Sequence, residues 1–281
     1  MKKAFITGAT GNIGNFLVQY LKELKVPFTA GTRHISSSEY PTQVIDFNDP
    51  MGLIKAFDGH DCLFLLTPDA PDSKNWVMNA LEAAKKVGIK HIVRSSGIGA
   101  NANSPYLVFN ELGQMEDMVK GTGIHYTIIQ PNSFFQNFAT FQQAAVKQGM
   151  VFLPHIQARI SYVDVRDVAL AAAHVMLNPS QHQSKTYLIT GPSPITDQEL
   201  LNEVGKVLNK EVKYIPVSDK DMRKAFAKYH MPEYNIELLM SLYQADRNGE
   251  TAVVSHDCEK ITSKASRSIR DFVRDYKQHW L

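Results

Sequence analysis

The sequence predicts an α/β fold: a doubly wound parallel sheet with helices on both faces, followed by a smaller C-terminal α/β lobe. Three observations carry this. Through the first half, short apolar runs alternate with amphipathic helical stretches, the pattern of parallel strands joined by crossover helices. Gly8, Gly11 and Gly14 stand at three-residue spacing where the first apolar run gives way to the first helical pattern. Beyond about residue 134 the alternation lapses, so the rest of the chain has to pack as a different unit.

Residues 4–7 are a short apolar run suited to a buried parallel strand. Ile13, Phe16, Leu17, Tyr20, Leu21 and Leu24 then recur on one helix face. Runs two and three are 28–32 and 44–47. Asp49-Pro50 opens a helix carrying Leu53, Ile54 and Phe57. The fourth run, 62–66, leads to a helix with Trp76, Val77, Ala80, Leu81 and Ala84; the fifth, 91–93, is separated from the sixth, 126–129, by a helix over about 109–120. After that come a helix over 138–147, extended segments at 150–154, 159–163, 185–189 and 212–217, and a helix beginning near Val165. Thr196 and Glu199 form a capping box before Leu200, Leu201, Val204 and Val207. The predicted organisation is a nucleotide-binding domain over 1–155, which the strands near 160–163 and 185–189 rejoin. A lobe follows from 134–159 and 191–255, with a helical segment at 256–281.

Composition narrows the function. Hydrophobic content of 44% and charged content of 21% are those of a globular protein. The formal charge of +2 comes with no basic run, so a nucleic-acid partner is not expected. No stretch approaches ~20 apolar residues, and no leader pattern precedes the first strand, so a cytoplasmic protein without a membrane span is expected. Cys62 and Cys258 have no metal or redox spacing, so no metal is expected; Cys62, in an apolar run, reads as a buried inert thiol.

In a doubly wound sheet the ligand lies over the carboxyl ends of the strands, so the residues just past each strand matter most. The glycines occupy such a turn in the Rossmann-type pattern. Gly8 makes the tight turn, Gly11 lets backbone approach a pyrophosphate, and Gly14 lets the helix pack closely on the sheet; the helix's first amides face the anion. After the second run, Arg33 stands where an NAD enzyme usually carries a carboxylate. It is read either as a clamp for the 2′-phosphate of NADP or as a solvated surface cation, with His34 beside it. Asp46 is read as an acceptor for adenine or as a local cap. Thr67 and Ser95 either touch the ligand or simply end their strands. Pro131 breaks the sixth strand, and the loop it opens carries Phe134, Phe135 and Asn137, aromatics and amides that suit a pocket for a flat ligand or else belong to the core.

Taken together, the residues 7–14, Arg33, the loop 132–137, and the segments 160–167 and 187–192 resemble the NmrA-like group of atypical short-chain dehydrogenases, near its quinone and triphenylmethane-dye reductases. The resemblance implies NADP (NADPH) held by Gly8, Thr10, Gly11, Asn12, Ile13, Gly14 and Arg33. Thr67, Ser95, Pro131 and Phe135 are then expected near the nicotinamide, with Tyr106, Phe134 and Asn137 lining a substrate pocket. Most short-chain dehydrogenases pair a tyrosine with a lysine four residues on, and no tyrosine here has that lysine; Tyr106 is followed at that spacing by Asn110. Some relatives carry a lysine early in the helix before strand six, where this chain has Leu112. Tyr106 and Glu116 remain the catalytic candidates, Glu116 being read either as shaping the pocket or as an exposed helix carboxylate. Loss of the usual donors is compatible with hydride transfer to a quinone-like or other conjugated acceptor, whose product water can protonate. The alternatives are a non-catalytic NADP-binding redox sensor acting through a protein partner and, third, a nucleotide-sugar epimerase-like enzyme. A homodimer or a protein partner is compatible with any of the three.

Overall fold

The computed structural model describes residues 3–34, 39–154 and 157–281. In chain order the elements of its first half are β1 (Ala4–Ile6), α1 (Asn12–Glu23), β2 (Phe28–Thr32), β3 (Thr42–Val44), α2 (Pro50–Phe57), β4 (Cys62–Leu65), α3 (Ser73–Val87), β5 (His91–Ser95), α4 (Leu107–Lys120) and β6 (His125–Pro131). The second half continues with α5 (Gln143–Gln148), β7 (Met150–Leu153), α6 (Val165–Leu177), β8 (Lys185–Ile189), α7 (Asp197–Leu208), β9 (Lys213–Pro216), α8 (Asp219–Lys228), α9 (Glu233–Arg247), α10 (Asp257–Thr262) and α11 (Ile269–Tyr276).

The main sheet runs β3-β2-β1-β4-β5-β6-β8, all parallel, and the expected doubly wound sheet is observed. Its strands are short and buried on both faces because helices cover both. On one face α1 contributes Ile13, Leu17 and Leu21, and α6 contributes Val168, Ala172 and Val175. On the other, Leu53 and Phe57 of α2 meet Val77 and Ala80 of α3 and Met115 and Val119 of α4. Small residues on α6 let it pack closely on α1. Chain order reverses between β1 and β4, which places a crevice at their carboxyl ends.

Residues 160–163, expected as a strand of the nucleotide-binding domain, form isolated bridges, Ile160 with Ile195 and Val163 with Phe134, and Val163 packs in the core beneath the main sheet. The parallel pair β7-β9 belongs to the lobe, where Val151 and Leu153 point inward. That lobe has its own core, in which Leu200, Val204 and Ile236 meet Phe272 and Trp280 from the C-terminal segment. Charges anchor that segment to the helix of the main domain. Arg166 bridges Asp164 at 2.6 Å and Asp275 at 2.7 Å, Arg267 pairs with Asp167, and Trp280 Nε1 donates to the carbonyl of Phe138 at 2.9 Å. Cys62 is buried as expected, and burial pushes its thiol up to about 12, so it is inert.

His91 opens β5 and is buried. Thr127 spends its hydroxyl proton on the carbonyl of His182 at 2.7 Å, so it accepts from His91 Nε2 at 2.8 Å, which requires no charge on the imidazole. Burial, then the nearby His125 and His182, pushes His91 down to about 4. Its folded value lies below the unfolded one, so the stability it contributes is complete above about pH 6.5 and is lost as pH falls towards about 4. The expected loss is of the order of 3 kcal/mol. Urea unfolding across that window is expected to show a shallower acid limb for His91→Gln than for the wild type. Equal slopes would assign the acid sensitivity to other groups.

Candidate functional site

The crevice between β1 and β4 is built around the glycine turn. Gly8 has φ +66°, a left-handed conformation that favours glycine. Gly11 caps α1 with no side-chain hydrogen bond to the first turn, and that turn holds no acidic residue. The opening amides of α1 therefore stay available to an anion at the positive end of the helix. Helix and turn touch so closely at Gly14 that a Cβ there would stand 2.1 Å from the carbonyl oxygen of Gly8. Thr7, fully buried, ties the ends of β1 and β4 together: its Oγ1 accepts from Leu66 N at 2.8 Å and can donate to the Leu66 carbonyl at 2.9 Å. Arg33 follows β2, the neighbour of β1 in the sheet, and is exposed. Asp46 accepts from Asn48 N at 2.8 Å, the local-cap reading of that residue.

A cleft of about 590 Å³ runs from this turn to the lobe. It brings together Asn12 and Ile13 from α1, Thr67 after β4, Ser95 at the end of β5, and Pro131, Phe134 and Asn137 after β6. Its far wall comes from α9, through Tyr234, Leu238 and Leu242. Leu112 lines it as well, so an apolar side chain faces the cleft where some relatives carry a lysine.

Two expected residues lie elsewhere. Phe135 is 2% exposed and stacks on Tyr162 at 6.0 Å and Phe272 at 5.3 Å in the lobe core, because the 3₁₀ turn at 135–138 sends it away from Phe134. Tyr106 is outside the cleft wall. Its ring packs edge-on against Phe109 at 5.5 Å, and its hydroxyl accepts from Asn248 Nδ2 at 2.7 Å, which fastens α4 to the lobe. Glu116 is not an exposed carboxylate but 2% exposed, beneath the cleft. It accepts from Ser96 Oγ and Gln130 Nε2, both at 2.7 Å, and from Lys120 Nζ at 3.1 Å, binding the ends of β5 and β6 to α4.

Of two further residues in the wall, Tyr234 was not anticipated, while Arg94 was expected at the end of strand five beside the cofactor but not as a buried cation. Tyr234 has its phenol pushed up to about 12, first by burial, then by Glu111 and Asp69, with a hydrogen bond to Glu111. Lys74 Nζ pairs with Glu111 at 3.0 Å, and Asn235 Nδ2 donates to the carbonyl of Asp69 at 3.0 Å, so α9 is latched over the cleft. Arg94, 2% exposed, donates to the Leu65 carbonyl at 3.1 Å and approaches Thr67 Oγ1 at 3.4 Å, while burial pushes its guanidinium down to about 10. The position of Arg94, directly after the apolar run 91–93, was legible in the sequence; its burial was not. Nothing local marked Tyr234. Among the described residues no cluster of histidine, cysteine or carboxylates can hold a metal ion, and no helix is long and apolar enough to cross a membrane.

The model of the NmrA-like family matches residues 1–276. An NAD(P)H azoreductase of Xenophilus azovorans is 29% identical over 275 residues, covering 96% of each chain. The solved structure of an NADPH-dependent quinone oxidoreductase of Escherichia coli superposes with a TM-score of 0.83 at 25% identity, over 97% of this chain and 98% of that one. Triphenylmethane reductase of Citrobacter sp. superposes with a TM-score of 0.84 at 25% identity, over 99% of both chains.

The glycine turn makes a sharp prediction about folding. Gly14→Ala forces a Cβ into backbone at 2.1 Å and is expected to cost at least about 2 kcal/mol in urea unfolding. Gly11→Ala, whose Cβ meets only the Gly8 oxygen at 3.3 Å, is expected to stay within about 1 kcal/mol of wild type. Equal losses in the two would mean that the turn and α1 are not held in this close approach.

Proposed function

We propose that this chain, which belongs to the NmrA-like family, is an NADPH-dependent reductase that delivers hydride to quinone-like or other conjugated acceptors. The observation that carries this reading is one continuous cleft with an uncapped helix N-terminus at one end and an apolar wall at the other. The three relatives support it by their names, since azo compounds, quinones and triphenylmethane dyes are all conjugated molecules. The turn residues fit a dinucleotide: Gly8, Thr10, Gly11, Asn12, Ile13 and Gly14 would receive the pyrophosphate, Arg33 the 2′-phosphate, and Thr67, Ser95 and Pro131 the nicotinamide end. Bound NADPH would supply the hydride.

What the chain contributes is position and exclusion of water. Phe134 and Leu112, facing Leu238 and Leu242 of α9, form walls between which a flat acceptor can lie against the cofactor. Tyr234 is a poor acid, because burial, and then the carboxylates of Glu111 and Asp69, disfavour its phenolate. Tyr106 is committed to Asn248. A conjugated acceptor needs neither, since its reduced form can take a proton from water.

Purified protein is therefore expected to oxidise NADPH with simple quinones. Turnover with both Tyr106→Phe and Tyr234→Phe is expected to stay within a few-fold of wild type; a loss of ~100-fold in either, with NADPH affinity intact, would identify a proton donor. Tight NADPH binding with no turnover on quinones, azo compounds, nitro compounds or dyes would replace the enzyme by a redox sensor.

The cofactor preference has its own test. NADPH is expected to bind about ten- to a hundredfold more tightly than NADH, and Arg33→Ala to remove that preference by weakening NADPH alone. Calorimetry that finds both cofactors weakened in parallel would remove Arg33 from the phosphate site. Gly11→Val is expected to fold yet lose NADPH affinity, since its side chain would cover the amides of α1.

A further inference from the structure

We propose that Arg94 makes the floor of this cleft electropositive, so that it selects neutral acceptors that become anions on reduction, such as quinones, over cationic dyes. The inference rests on the reductase reading and narrows its substrate class. A buried charge is normally paired, because desolvation is otherwise uncompensated. Among the described residues Arg94 makes no ion pair within 4.0 Å; its bonds go to the Leu65 carbonyl, distantly to Thr67, and to the sulfur of Met115 at 3.5 Å. Its Nε is buried with no hydrogen-bond partner. A buried donor left unmade is costly enough to need a reason, and this one belongs to a side chain that lines the cleft.

The carboxylates of Asp69 and Glu111 line the same cleft, and Asp69 and Glu116 act on Arg94, but none pairs with it directly. Glu116, packed below on α4, is committed to Lys120, Ser96 and Gln130. Glu111 is committed to Lys74 and Tyr234. Asp69, on the loop after β4, also faces Arg94 but stands outside ion-pairing distance at the exposed side of the cleft. The positive charge is thus local, held by Arg94 in the floor near the ends of β4 and β5, with the carboxylates of Asp69 and Glu111 farther along the wall towards Tyr234 and Lys74.

The sign of that charge separates the acceptor classes. A neutral quinone takes up one hydride as the C–H bond of the dihydronicotinamide breaks, and two electrons and one hydrogen nucleus arrive together. The product is a hydroquinone monoanion beside NADP⁺, and water then supplies the second proton. Arg94 opposes no charge in the reactant and stabilises the anion as it forms. A cationic dye is repelled as reactant and leaves as a neutral product, so it gains nothing.

The test uses 4-nitrophenol, whose anion is read by its visible absorbance, titrated into the complex with NADP⁺ so that nothing can be reduced. In wild type the bound phenol is expected to ionise at least tenfold more than free phenol at the same pH. Arg94→Lys is expected to keep most of that gain, and Arg94→Gln, which retains a donor for the Leu65 carbonyl, to lose it. With 1,4-benzoquinone, Arg94→Gln is expected to lose about ten- to a hundredfold in kcat, while turnover of cationic malachite green is unchanged or rises. No binding of 4-nitrophenol, ionisation as in water, or an equal gain in Arg94→Gln overturns the proposal. Should Arg94→Gln fail to fold, Arg94→Met, an uncharged side chain suited to the site beside Met115, is expected to lose the gain in its place. A wild type that shifts 4-nitrophenol but reduces no acceptor would sink the reductase reading and leave the anion site standing.

Discussion

The contact on which the rest of this molecule depends is the seating of α1 on the turn that precedes it. Where a side chain of residue 14 would begin, the carbonyl oxygen of Gly8 already stands, and the backbone of Ala9 lies 2.7 Å away. That approach sets the direction of α1, and with it the direction of the opening amides. It also sets how Leu17 and Leu21 reach the sheet and where α6, with its row of alanines, can lie against α1. One missing Cβ thus couples the uncapped end of the helix to the packing of a whole layer.

Burial is then used in opposite ways for different charges. Asp164 and Asp167 are almost completely buried, yet each is matched by an arginine, and the matches bring in the C-terminal segment through Arg267 and Asp275. Removing one partner would leave the other charged and dry, which makes such pairs strict about geometry. Glu116 is satisfied in the same way from β5, β6 and its own helix. Arg94 departs from the pattern, a buried cation beside the cleft whose partners are a carbonyl, a hydroxyl and a thioether.

The cleft has two kinds of wall because it lies between two cores. On the sheet side, hydroxyls and backbone at the strand ends point upward from a rigid parallel array. On the lobe side, α9 adds leucines and Tyr234, latched across by Asn235 to Asp69 and by the group around Glu111. Phe134 and Phe135 show the boundary: adjacent in sequence, one faces the cleft and the other stacks inside the lobe.

What the sequence determined by itself was whatever depends on neighbours along the chain. Helix periodicity at Ile13, Leu17 and Leu21, apolar runs of strand length, the capping box at Thr196 and Glu199, and three glycines at a strand-to-helix turn are local constraints, and all were legible. They were enough for the doubly wound sheet and for the polar end of the site. The tertiary structure alone decided which aromatic of the pair at 134 and 135 faces the cleft, that Tyr106 is turned to Asn248, and that Tyr234 returns over the strand ends. It also decided that residues 160–163 form isolated bridges and that Arg94 is buried. Each of these is set by packing or by contacts between residues as far as 166 positions apart, such as Asn235 with Asp69. A side chain's local pattern is the same whether it ends against solvent, a lobe or a carboxylate; only the packing of distant segments distinguishes them.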